Sequence, residues 1–373
     1  MRVAAILAGA VAFITFRGLS ASPAVVEAWY ASSVGPFLAS FLSRATGWIP
    51  ISLLEIILAL FVFRQLHGIA WGLSMMRLGE WKPAAALGRG LFRLASDLGL
   101  VVAIFYVVWG FNYARSPLEV RQGWDGKQAG AEELTVLALD MVDAANEEYL
   151  AIHESEDAGA ATDEVLDRRD LTASIEKGWR QAARLLNEPW LERSFGRPKP
   201  LLASRALDYL GIAGIYFPFT GEANFNGGAP PESLPRVLGH EMAHQRGYAR
   251  EDEANFMGFL SAALSPDPWP RYSAAVFAQR QLVNALAQAS PDRARAMVQR
   301  RLPGVHRDIT ESDAYWARFA GPMNDAAQSV NNAYLKSQKV PGGVLSYARS
   351  VELMVSWSRS HEGALPRSGV VPR

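Results

Sequence analysis

Residues 233–256 read SLPRVLGHEMAHQRGYAREDEANF and hold two of the six histidines in the chain. His240, Glu241 and His244 spell H-E-x-x-H. Ser233 can cap a helix here, Pro235 falls in its first turn and Gly247 can end it. On a helix, positions i and i+4 share a face, so both imidazoles can reach one ion. Glu241 lies one residue round from His240, where it can contact a metal-bound water without being a ligand. Zinc lowers the pKa of such a water, and a glutamate so placed takes its proton as it attacks a carbonyl. The plainer alternative is a polar helix whose histidines hydrogen-bond in a partly buried interface.

Catalytic zinc takes three protein ligands and leaves a position for water. After the break at Gly247, residues 250–260 read REDEANFMGFL and begin a second helix. Glu251 leads as the third ligand, Glu253 follows, and Asp252 and His306 stand behind. Glu251 precedes Asn255 by four, so both can face the first helix, one on the ion and the other hydrogen-bonding a ligand. Acids in a first turn are also favoured by the helix dipole alone. A developing oxyanion needs a donor, and Tyr248, Arg246, Tyr334 and Tyr347 are candidates. Tyr248, inside the motif, is carried forward as the catalytic donor beside Glu241. Tyr347 shares an apolar face with Val344, Val351 and Met354, which favours a core role. Lys336 is a candidate for a substrate carboxylate, against the default of a solvated lysine.

The rest of the composition narrows the setting. The 373 residues carry 37 basic and 37 acidic side chains, so no net field points to nucleic acid, and no nucleic-acid motif is present. There is no cysteine, which removes disulfides, thiol catalysis and cysteine-ligated metals. Half of the residues are hydrophobic, and they crowd the first third of the chain. Three runs predict membrane spans: Val3–Phe16, Trp48–Phe63 and Leu98–Tyr113. The first is short, but no small-x-small cleavage site directly follows it. Between the second and third lie Arg64, Arg77, Lys82, Arg89 and Arg93, a basic loop expected to stay cytoplasmic. Everything after Tyr113 is then outside. Residues 23–45 are moderately apolar and suit the outer membrane surface. Glu55, inside the second span, is either a functional acid, a partner for a neighbouring helix or a group near the interface.

From Arg115 onward the pattern is that of a globular domain. Apolar residues recur at helical spacing through Leu134–Ile152 and Leu171–Leu186. RPKPLLAS (197–204) reads as an extended connector, and GIAGIYFPFTGEANFNGG (211–228) as one or two short strands. An edge strand there could pair with an extended peptide, or Tyr216, Phe217 and Phe219 could simply pack. Glu222 could orient a histidine or bind a substrate amine, or lie on a turn surface. Helices resume at Ser233 and continue to about Trp357.

HEMAH…EDEAN resembles the gluzincin pattern, in which H-E-x-x-H is followed by E-x-x-A/S-D/N on a second helix. Carried over position by position, the resemblance implies Glu251 as third zinc ligand, with Ala254 and Asn255 completing the motif. The link between the helices is shorter here than in most gluzincins, which leaves Glu253 in contention. Metzincins carry a ligand three residues after the glycine, where this chain has Arg250, which cannot ligate. WGFNYAR, GIYFPFTGEANFN, HEMAHQRGYAREDEANF and NNAYLKSQ…GGVLSYARSVELM together resemble an uncharacterised bacterial family of membrane-anchored, zincin-like proteins, a domain of unknown function.

The resulting expectation is a mainly α protein: a three-span membrane anchor over 1–115, a mostly helical zincin-like domain with a small hairpin or sheet over 116–357, and a disordered tail over 358–373. The resemblance implies a zinc metallopeptidase, multi-pass in the bacterial cytoplasmic membrane, with its catalytic domain on the extracytoplasmic side and a peptide or protein as substrate. Zn2+ is expected on His240, His244 and Glu251. The rival expectation is an inactive zinc-containing domain that binds an exported peptide or cell-wall fragment.

Overall fold

Each apolar run becomes a long helix, but with boundaries other than those expected. The computed structural model describes residues 1–163, 166–193, 195–338 and 349–367. Helix α1 covers Arg2–Leu19. Helical turns over 23–34 follow, and then α2, Gly35–Thr46. Helices α3, Leu53–Arg77, and α4, Pro83–Val108, form a hairpin. Helices α1, α3 and α4 are long and apolar enough to cross a membrane. The 25 and 26 residues of α3 and α4 reach ~38 Å at 1.5 Å per residue, past the ~30 Å of a hydrocarbon core.

The expected basic loop is therefore two helical arms joined by a turn over 78–82. The error has a physical cause. Arg64 and Asp97 read as the ends of spans, yet they face each other across the hairpin, with Nη2 to Oδ1 at 2.8 Å and Nε to Oδ2 at 3.0 Å. A laterally neutralised pair does not stop a helix. Leu58, Leu60, Phe63 and Ile69 stay exposed on α3, as lipid-facing side chains do. Trp29, Phe37, Phe41 and Trp48 are likewise exposed along 23–48.

The helical part is built round a core that includes Trp179, Trp269, Trp357, Tyr149, Phe256 and Phe259, all fully buried. Helices α5, Ala131–His153, and α6, Arg168–Leu185, come first; Asp167 caps α6 by accepting from the Arg169 N–H. A three-stranded sheet follows. Strand β1 is Lys199–Leu201, so the expected connector is a strand, and after helix α7, Ser204–Leu210, come β2, Gly214–Phe217, and β3, Glu222–Asn226. The order is β1-β3-β2, with β1 parallel and β2 antiparallel to β3. The remaining helices are α8 (Leu234–Gln245), α9 (Glu251–Ala263), α10 (Pro268–Ala289), α11 (Pro291–Gln299), α12 (Pro303–Ala317), α13 (Pro322–Ser337) and α14 (Ser350–Ser360). Ser233 precedes α8 without capping it: its hydroxyl donates to the Pro230 carbonyl at 2.7 Å.

Order persists past the expected end of the domain. Ser358 is buried in α14, Leu365 is fully buried, and Arg367 pairs with Asp140 at 3.1 Å. The expectation of a disordered tail from 358 is thus corrected as far as 367, and 368–373 lie outside the described residues. Tyr347 and Val344 also lie outside them.

Polar contacts join the apolar helices to the helical part. Glu55 accepts the backbone N–H groups of Leu202 and Ala203, at 3.1 and 2.7 Å, so it serves a neighbouring segment. Glu222, fully buried, bonds Lys199 and accepts the Leu53 N–H at the start of α3, which removes it from the histidines and from any substrate. Arg115 pairs with Glu27 at 3.1 Å. Gln245, at the end of α8, donates to Ser43 Oγ at 2.7 Å.

Candidate metal centre

Helices α8 and α9 approach closely because glycine faces glycine. A Cβ on Gly239 would lie 2.9 Å from the Gly258 carbonyl oxygen, and one on Gly258 only 2.8 Å from the His240 nitrogen. The short link between the helices turns at Gly247, whose φ of +88° suits glycine. This crossing carries Glu251, in the first turn of α9, onto the histidine face of α8.

Glu251 Oε2 lies 3.3 Å from His240 Nε2 and 3.6 Å from His244 Nε2. The three side chains each offer one ligand atom, all within 4.8 Å of one another. Bonds of 2.0–2.2 Å to a tetrahedral ion place neighbouring ligand atoms about 3.3–3.6 Å apart. The two nitrogen–oxygen distances match that spacing, and two imidazoles with one carboxylate are a zinc-type donor set. A half-buried carboxylate between two imidazole nitrogens also favours positive charge there, as a proton or as a metal ion. His244 Nδ1 donates to the Tyr248 carbonyl at 2.7 Å, which turns Nε2 towards Glu251. His240 Nδ1 is buried without a partner among the described residues.

The protonation balance reflects the same crowding. Burial pushes His240 down to about 4. Burial opposes charge on His244 too, but Glu251 outweighs it and raises His244 to about 9. Burial raises Glu241 to about 8. Glu241 Oε1 stands 4.0 Å from His240 Nε2, and its Oε2 is buried with no hydrogen-bond partner among the described residues. It is therefore beside the donor set, held by a backbone hydrogen bond from Tyr216 and with one carboxylate oxygen unengaged.

All four motif residues open onto a cavity of about 1230 Å³. One wall is β2, through Gly214, Ile215 and Tyr216. A second comes from the end of α4 and the turn after it, through Phe105, Trp109 and Tyr113. A third is α13, through Met323, Val330 and Tyr334. Arg236 and Asn255 lie on the metal side, with Arg236 Nη1 donating to Asn255 Oδ1 at 3.3 Å.

The other candidates are placed as follows. Glu253 accepts the Leu118 N–H at 2.9 Å and faces Arg121 at 3.6 Å, away from the donor set. Asp252 sits 3.9 Å from Arg349, and His306 is exposed on α12. Tyr248 is fully buried, its hydroxyl donating to Glu188 at 2.6 Å, and it does not line the cavity; its carbonyl, not its hydroxyl, serves the site. Arg246 is spent on Glu176 at 2.7 Å. Of the four candidate oxyanion donors, the described cavity contains Tyr334, which hydrogen-bonds Tyr113 and feels the charge of Glu251. Lys336 is exposed and outside the cavity. Sequence reasoning missed Arg236, although it stands four residues before His240 and so shares its helical face. It also missed Trp109, whose indole N–H donates to the His244 carbonyl at 3.0 Å; a residue 135 positions distant gives no local signal.

No curated protein and no solved structure matches the chain. A family model does, over residues 30–355, a range that takes in both the hairpin and the histidine–glutamate cluster. The chain accordingly belongs to the family described as protein of unknown function DUF3810.

Proposed function

We propose that this protein is a membrane-anchored zinc metallopeptidase that hydrolyses peptide or amide bonds. The observation that carries the reading is the convergence of His240, His244 and Glu251 with Glu241 beside them in one open cavity. Zinc, when bound there, supplies Lewis-acid activation of water and of the scissile carbonyl. Glu241 takes the proton released as water attacks and passes it to the leaving amine. Tyr334 donates to the oxygen that gains charge. The free edge of β2 aligns an extended peptide main chain to main chain along the cavity.

The catalytic side faces outward from the bacterial cytoplasmic membrane. Arg77, Lys82, Arg89 and Arg93 gather towards the α3–α4 turn, the end of the hairpin remote from the cavity, and basic ends stay inside.

Zinc analysis of the full-length protein tests the reading, with peptide hydrolysis measured on the same samples. We expect about one zinc per chain in wild type, lost in His244→Ala and Glu251→Gln. Glu253→Gln keeps its zinc. Glu241→Gln keeps its zinc and loses turnover by a factor on the order of 10² or more. Absence of zinc from the wild type sinks the proposal; zinc present with turnover indifferent to Glu241→Gln favours the binding domain instead.

A further inference from the structure

Several buried or half-buried arginines are paired with carboxylates. Arg246 faces Glu176 at 2.7 Å, Arg271 faces Glu148 at 2.6 Å, and Arg115 faces Glu27 at 3.1 Å. Arg301 instead donates to Gln279 Oε1 at 2.8 Å, and Arg236 likewise lacks a carboxylate pair among the described residues. It lines the cavity, partly buried, and no carboxylate oxygen lies within 4.0 Å of its guanidinium among the described residues. Two neutral groups hold it instead. Asn255 accepts from Nη1 at 3.3 Å, and the Phe277 ring lies beneath the guanidinium carbon at 4.6 Å. The plane of the fork is thus set from α9 and α10, while Nε and Nη2 have no hydrogen-bond partner among the described residues. A guanidinium offers five donors and matches a carboxylate two-on-two.

The charge inventory of the cavity agrees. Its charged lining consists of Arg236, Glu241 and Glu251, with the two histidines. Glu251 is turned to the two histidines, and Glu241 feels the charge of Arg236 without forming an ion pair with it. Glu241 and Glu232 act on Arg236 only through their charge, without direct contact, so its preoriented fork in the cleft still has room to receive an anion. Arg236 is one helical turn before His240, about 6 Å along the axis. An extended peptide advances ~3.5 Å per residue, so a carboxylate one or two residues past the scissile carbonyl spans that distance.

We propose that Arg236 is the carboxylate receptor of this cleft, so that its peptide ligands carry a free carboxylate within two residues of the bond placed over His240, His244 and Glu251. The carboxylate is that of the chain end or of an acidic side chain. The inference rests on the peptidase reading for the placement of the peptide, but its test does not need turnover.

The experiment measures binding by calorimetry to the full-length, zinc-loaded Glu241→Gln protein in nanodiscs. The probes are acetyl-Ala-Phe-Ala as free acid, the same peptide as C-terminal amide, and acetyl-Ala-Phe-Asp amide. We expect at least one carboxylate-bearing probe to bind tenfold or more tighter than the uncharged amide. A preference for the free acid assigns the chain end; an equal gain with the aspartyl amide assigns any nearby carboxylate. Adding Arg236→Gln brings all three probes within about twofold of one another, and Arg236→Lys, a point charge without the fork, restores part of the gap. Equal affinity for acid and amide in the parent protein overturns the proposal. So does a gap that survives Arg236→Gln, because the ion and not Arg236 is then receiving the carboxylate. Failure of the hydrolase reading shows separately, as turnover that Glu241→Gln does not change.

Discussion

The indole N–H of Trp109 donates to the carbonyl oxygen of His244 at 3.0 Å. One partner follows directly on the last residue of α4; the other is a ligand candidate on α8. The same indole stands edge-on to the His244 ring, with centroids 6.0 Å apart. The candidate centre is thus built against the end of a helix long and apolar enough to cross a membrane, and the position of that helix bears on the geometry of the donor set. His244 O also accepts the Gly247 N–H at 2.9 Å, so it keeps one donor if the indole is lost. Trp109→Phe therefore costs only about 1 kcal/mol of stability. We expect zinc affinity to fall by up to about tenfold, measured by chelator competition, because a group that braces a ligand has moved. Unchanged affinity would mean that α8 holds its ligands without α4.

Tyr334 and Tyr248 separate a role in the cleft from a role in the core. Tyr334 lines the cavity, whereas the Tyr248 hydroxyl is tied to Glu188 at 2.6 Å. Tyr334→Phe should lower turnover on the order of 10²-fold with zinc content unchanged. Tyr248→Phe leaves the Glu188 carboxylate short of a donor and costs about 1–3 kcal/mol of stability instead. Parallel kinetics and melting curves check both; the reverse assignment of effects would exclude Tyr334 as oxyanion donor.

What the sequence discloses here is what lies close along the chain. The H-E-x-x-H face, the helix break at Gly247 and the lead of Glu251 all depend on separations of a few residues, and helical geometry turns those directly into space. Glu251 and Glu253 differ by two positions on α9, so one faces α8 and the other faces Leu118. The limits of the spans were hidden for the opposite reason. Arg64 and Asp97 neutralise each other from 33 residues apart, and a hydropathy window registers only two charges. Glu222 looked like a turn carboxylate because its partners, Lys199 and Leu53, come from other segments. Tyr248 sat inside the motif by letter, yet the turn at Gly247 sends its side chain towards Trp179 and Trp190.

Glu232 makes the stability of the helical part depend on pH. Burial, reinforced by the charge of Asp308, raises its carboxyl to about 7 from an ordinary 4.5. The folded state then holds this proton more tightly than the unfolded state. Its stabilising contribution is complete below pH ~4.5 and is lost as pH rises towards 7, amounting to about 3 kcal/mol. Asp252, raised by burial to about 6, acts in the same direction. Glu232→Gln should flatten the fall in melting temperature between pH 5 and 7 and stabilise the protein at pH 8. A slope identical to wild type would show that the carboxyl is ionised at low cost in the fold.

Gly214 sets how closely β2 approaches the candidate base. A Cβ at this position would lie 2.5 Å from Glu241 Oε1 and 2.6 Å from its Cγ. Pairing of Gly214 with Phe225 of β3 fixes the strand from the other side, so the strand cannot easily retreat. The side chain that must give way is Glu241, whose Oε2 has no partner to hold it. The three atoms nearest the added methyl all belong to Glu241, so the change is expected to fall on that side chain first and to leave the donor set intact. Gly214→Ala is expected to keep about one zinc per chain and to lose at least about tenfold in turnover, because proton transfer depends on hydrogen-bond reach. The double variant Gly214→Ala with Glu241→Gln should then be no slower than Glu241→Gln alone, since both changes act through one carboxylate. A further additive loss in the double variant would place the effect of Gly214 on the peptide-aligning edge of β2 rather than on Glu241.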